Sequence, residues 1–89
     1  MRRFEEDGDI VYELSSKKMV RMGYFEQGNV FLVHIRDYKR RANSQDRHLA
    51  DKEGKGVALT MELWTSLVEN IKEIHEDAVA LSYKYISRR

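Results

Sequence analysis

The stretch GVALTMELWTSLVENIKEIHEDAVALSYKY, Gly56 to Tyr85, changes its period part-way, and that change decides the fold. Gly56 to Leu59 is a short apolar run that opens on glycine, and it reads as a strand. From Thr60 onward the apolar residues recur at spacings of three and four: Trp64, Leu67, Ile71, Ile74, Ala78, Leu81 and Tyr85. Leu63, Val68 and Val79 widen the stripe. Such a seam, held for three heptads, belongs to one long amphipathic helix. Thr60 is placed to cap its first turn, and Glu62 lies where a negative charge suits the helix dipole. Roughly 24 residues at 1.5 Å rise extend about 36 Å, further than a small sheet reaches. The first half of the helix is therefore expected to pack on its own sheet, and the second half on another copy of the chain.

Upstream the periodicity is that of strands. Ile10 to Leu14 (IVYEL), Met19 to Phe25 (MVRMGYF) and Val30 to about Arg40 each alternate or run apolar. SSKK separates the first two, and EQGN joins the second to the third at hairpin length. The polar segment RRANSQDRHLADKEGKG is longer than most ordered connections. Residues 1–9 are acidic and polar, and read as a flexible tail, leaving one domain over residues 10–86. Strands followed by a helix predict an α+β fold, a four-stranded antiparallel meander with the helix on one face.

A chain of 89 residues holds one domain, and at that size a second copy would help to bury its apolar surface. Cysteine is absent, which removes disulfides, thiolate metal sites and a thiol nucleophile. No apolar run approaches the roughly 18 residues of a membrane span, and MRRFEEDGDI has no apolar leader core, so a soluble intracellular protein is expected. The net charge of +1 conceals a segregation. Residues 1–16 carry a net −3, residues 17–58 a net +5 and residues 59–89 a net −1. The middle third is where a polyanion would be drawn, although a run of charge also serves as a plain solvated face.

The third strand, VFLVHIRDYKRR, shows what that charge does. Alternation puts Phe31, Val33 and Ile35 on the helix side, and Val30, Leu32, His34, Arg36 and Tyr38 on the other. If Val20 and Met22 face the helix, Arg21 and Phe25 share that outer face. An uncovered sheet bearing rings and cations suits single-stranded nucleic acid, because bases stack on rings while cations follow the phosphates. Duplex is the poorer fit, as no basic helix is available for the major groove. The same Phe25 and Tyr38 also suit the rim of a core. Trp64, in the first turn of the helix, reads as core rather than as a base platform.

The motifs YELSSKKMV, YF, VHIRDY, KGVAL and TMELWTSLVENI, in that order from Tyr12 onward, resemble the positive cofactor four family of transcriptional coactivators, which bind single-stranded DNA. The likeness runs to about Val79, roughly three-quarters of the chain. It implies a curved four-stranded sheet, dimerisation through the helix and sheet, and a sheet surface that grips single strands with little sequence preference. It also implies the transcription machinery as a partner, and a nuclear location in a eukaryote or a cytoplasmic one otherwise. Residue by residue, it carries a stacking role to Phe25 and a strand contact to Arg36. Lys55 falls on the turn before the last strand, and Lys18, with Lys17 beside it, on the opening of the second. Gly23, Glu26 and Val30 stand where relatives have basic side chains, and Lys39 where some have a second aromatic. Arg21, Arg40, Arg41 and Arg47 are the electrostatic replacements, and Tyr38 or His48 the replacement ring. The expected interface is thus Lys17, Lys18, Arg21, Phe25, Arg36, Tyr38, Lys39, Arg40, Arg41 and Lys55, with Trp64, Leu67, Ile71, Ile74 and Leu81 forming the core and dimer side of the helix.

An enzyme is not expected. His34, His48 and His75 have no metal-ligand spacing, and no phosphate loop or nucleophile elbow is present. No cofactor or metal is implied. The alternatives to single-stranded DNA are single-stranded RNA, separable through the 2′-hydroxyl, and a protein-interaction module that binds no nucleic acid.

Overall fold

The first departure from these expectations is at the N-terminus, where Asp7 and Gly8 take positive φ angles of 52° and 84°. Two left-handed residues in succession make the tight turn that matches strand twist, and Asp-Gly is a strong signature for it. Residues 1–9 are therefore not a flexible tail. Arg3–Glu6 (β1) folds back on Asp9–Glu13 (β2), with Phe4 opposite Val11. Arg2 secures the start of the hairpin through a 2.8 Å ion pair to Glu13, and its guanidinium lies 5.0 Å over the Phe4 ring.

The computed structural model describes residues 1–37, 39–40, 48–49 and 55–86, with Lys39, Arg40, His48 and Leu49 described by their backbone alone. Lys18–Phe25 (β3) and Val30–Asp37 (β4) are the two long strands. Lys39–Arg40 (β5) and His48–Leu49 (β6) pair as a small separate ladder, and Gly56–Thr60 (β7) returns to the main sheet. The main sheet is open, antiparallel and five-stranded, in the order β1-β2-β3-β4-β7. It has one strand more than expected, because the sequence reading left β1 out. The third expected strand also stops at Asp37 and does not continue to Arg40.

Thr60 caps the helix as its position implied, its hydroxyl accepting from the Leu63 N–H at 3.3 Å. The helix is broken, however. Met61–Glu69 (α1) ends at Asn70, whose backbone leaves the helical region at φ −110° and ψ 6°. The Asn70 side chain donates to the Ser66 carbonyl at 2.7 Å, competing with the regular ladder. Ile71–Ile86 (α2) then restarts. The expectation of one continuous helix is corrected to two.

Helix α1 packs on β4 and β7, with Trp64 and Leu67 half-buried, while α2 meets only α1 among the described elements. Every residue of α2 is exposed, Ile71, Ile74 and Leu81 included. The chain has a radius of gyration of 15.7 Å, where a compact chain of this length would have about 12 Å. Fully buried residues lie on both sides of the sheet. Val33 is on the α1 side, whereas Val11 and Met19 pack with Phe4 on the opposite one. Among the described residues that opposite face, read from the sequence as uncovered, is thus covered towards β1 and open over β3, β4 and β7.

Candidate nucleic-acid interface

Strand register sets the site. Cross-strand partners point to the same side of a sheet, so each row of paired residues is a row of neighbouring side chains. Met19, Arg36 and Gly56 form one row, Arg21, His34 and Ala58 the next, and Gly23, Leu32 and Thr60 a third. Phe25 pairs with Val30 at the end of the same face. These rows border a cleft of about 290 Å³, at the small end of the ligand-site range. Between its ends lie Gly23 and Leu32 and then Arg21, His34 and Ala58. Gly56 is small by necessity, since a Cβ there would collide with the Ile35 carbonyl and the Arg36 main chain.

Phe25 stands at one end, 40% exposed, its ring held near Gly28 of the β3–β4 turn. That turn closes through the Asn29 N–H and the Glu26 carbonyl at 3.1 Å, with Asn29 at φ 52°. At the other end Arg36 is half-buried and donates from Nε to His34 Nδ1 at 3.1 Å. With Nδ1 accepting, neutral His34 carries its proton on Nε2. Lys55 is exposed just before β7, and its carbonyl accepts from the Asp37 N–H at 2.9 Å, which ties the start of β7 to β4 and puts Lys55 opposite Asp37 and not in the cleft row of Arg36 and Gly56. Phe25 and Arg36 thus border one cleft from its two ends, and Lys55 is not among the residues that line it.

Two other cations are placed differently from the expectation. Arg21 is on the cleft face but only 8% exposed. Its Nε donates to Asp9 Oδ2 at 2.6 Å, one terminal nitrogen to Glu6 Oε1 at 3.3 Å and the other to the Glu6 carbonyl at 3.4 Å. A guanidinium held on three sides by its own chain is a structural cation rather than a phosphate contact. Lys18 pairs with Asp37, and alternation puts both on the helix side with Val20 and Ile35. Lys17 is exposed in the β2–β3 turn. Tyr38, Arg41 and Arg47 lie outside the described residues. The β5 and β6 backbones place Lys39 opposite Leu49 and Arg40 opposite His48.

The acidic side of the cleft was missed. Asp9 lies across from Gly23, and a Cβ on Gly23 would overlap its carboxylate. The absence of a basic side chain at position 23 thus makes room for an acid. Glu6, on the neighbouring strand, completes the pairing of Arg21, with its Oε2 buried and without a partner. The Asp7-Gly8 pair was the signal available, since it folds Glu6 and Asp9 back beside the basic strand. Among the described residues no group of three or more His, Asp or Glu is arranged to hold a metal ion. No described helix is long and apolar enough to cross a membrane. No family model matches the chain, and neither a curated protein nor a solved structure is significantly similar to it.

Proposed function

We propose that this chain binds single-stranded nucleic acid, DNA in the first place, on the sheet face of β3, β4 and β7, and that it acts as a homodimer in the regulation of transcription. The observation that carries the reading is the cleft itself. One largely apolar cleft has an aromatic ring, Phe25, at one end and the Arg36 guanidinium at the other. Bases stacked along Leu32 and Ala58 meet Phe25, while the backbone follows the cations. The likeness of VHIRDY and KGVALTMELW to the positive cofactor four family supports the same reading and supplies the transcriptional role.

Phosphate contacts fall to Arg36, Lys55 and Lys17, with Lys39, Arg40 and Arg41 in the adjoining segment. Arg21 and Lys18 are engaged by carboxylates and drop out of the set. Dimerisation rests on the seam of Ile71, Ile74 and Leu81, which is exposed along α2. A repeat of three and four is the pattern that another copy of the same helix fits. Burying such side chains is worth roughly 1.5–3 kcal/mol each.

The test is a titration of labelled oligo-dT, oligo-U and a blunt duplex of equal length at two salt concentrations. Single strands should bind more tightly than duplex, and their affinity should fall with salt at a slope of about −0.7 per phosphate neutralised. Equal affinity for duplex and single strand refutes the sheet-face site, and no salt dependence refutes nucleic acid as the ligand. Tighter binding of oligo-U assigns RNA instead.

A further inference from the structure

We propose that the Asp9 carboxylate turns this cleft into a reader of guanine. The proposal rests on the single-strand reading above and adds a base preference that stacking and phosphate contacts do not supply. Asp9 is part of the cleft lining, and its position is fixed. Oδ2 accepts from Arg21 Nε at 2.6 Å, and the Arg21 guanidinium is fixed in turn by Glu6. No donor among the described residues reaches Oδ1, which lies against Gly23 in the space that a side chain there would fill.

The local charge does not balance. Two carboxylates, Glu6 and Asp9, share the single guanidinium of Arg21. This border of the cleft therefore repels a phosphate and favours a group rich in donors. A carboxylate only accepts hydrogen bonds. Among the bases guanine alone presents two adjacent donors on its Watson–Crick edge, N1–H and the N2 amino group. Adenine and cytosine offer one amino group beside an acceptor nitrogen. Thymine offers N3–H between two carbonyl oxygens, which a carboxylate repels. A guanine lying over Leu32 towards Phe25 would stack its face and turn its donor edge to Asp9, whose carboxylate covers Gly23 beside it. That edge is available only in an unpaired strand, in keeping with the proposed ligand class.

The test is anisotropy with dodecamers of dT that differ at one central position, carrying guanine, inosine or thymine there. One guanine per strand prevents guanine self-association. The intact protein should bind the guanine strand about five- to tenfold more tightly than all-dT, the lower part of the range for a paired base contact. Inosine, which keeps N1–H and lacks the amino group, should fall between. Asp9→Ala should bring the guanine-to-thymine ratio to about one, and Asp9→Asn should lower it. The ratio is the readout because releasing Arg21 also alters absolute affinity. Thermal melts confirm that the variants are folded, and should they not fold, the wild-type series alone decides. Tight binding of dT with a wild-type ratio near one overturns the guanine reading and leaves the single-strand site standing. A ratio unchanged in folded Asp9→Ala overturns the role of Asp9. Failure to bind any strand overturns both readings. Free guanosine monophosphate displacing the strand at equal base concentration shows a nucleotide pocket and overturns strand-borne recognition.

Discussion

Replacing Arg21 by alanine separates a structural cation from a ligand contact. The side chain is 9% exposed, and its partners Glu6 and Asp9 are 16% and 25% exposed. Removing it leaves two largely buried carboxylates facing each other with no cation between them. Truncating one partner of a buried ion pair costs about 3–5 kcal/mol, and the partial exposure of Asp9 lowers the figure, so a loss of roughly 2–4 kcal/mol is expected. In a domain of this size each kcal/mol moves the melting temperature by about 4–8 °C, so the midpoint should fall by roughly 10–25 °C. Scanning calorimetry at fixed protein concentration reads this directly. The salt slope of oligo-dT binding by the folded fraction should stay as in the wild type, because Arg21 neutralises no phosphate. A variant as stable as the wild type, whose salt slope is shallower by about 0.7, would show that Arg21 contacts the strand and would refute the ion-pair account.

Phe25→Ala should weaken oligo-dT binding by about 1–3 kcal/mol, the worth of one base stack, and lower stability by only about 1 kcal/mol, because the ring is 40% exposed and has only part of a full burial to lose. Trp64→Ala, at a half-buried position under α1, should lower stability by about 2–4 kcal/mol, below a full core truncation, and affect binding only through unfolding. The reverse pattern in matched melts and titrations would invert the two faces of the sheet. In sedimentation the chain should run at twice its 10.6 kDa mass at micromolar concentration, and Ile74→Glu with Leu81→Glu should return it to a monomer. A wild-type monomer would leave the α2 seam without its proposed partner.

The long strands and the cap at Thr60 were legible because alternation, a polar Gly-containing turn and a change of period are local signals. Phe25 and Arg36 reached one cleft because strand parity fixes which residues share a face, and hairpin pairing carries that parity across. The break at Asn70 was not legible from the seam, which continues through it unaltered, since hydrophobic spacing registers a face and not a bend. The N-terminal strand was misread because Arg3–Glu6 has a single large apolar residue, and its charge outweighed the Asp7-Gly8 turn signal. That one omission cost the fifth strand, the partners of Arg21 and the acidic side of the cleft together. The burial of Val11 and Met19 on the cleft side follows from it too, because Phe4 packs against them from β1.

The central claim, that a single strand lies on the face of β3, β4 and β7, is most directly tested by mapping amide shifts of the labelled protein during titration with oligo-dT. Gly23, Phe25, Leu32, His34, Arg36 and Ala58 should shift together and saturate with one affinity, while the α2 amides stay within the noise. Shifts confined to α2 or to the β1–β2 hairpin, with the cleft residues unmoved at saturation, would contradict it.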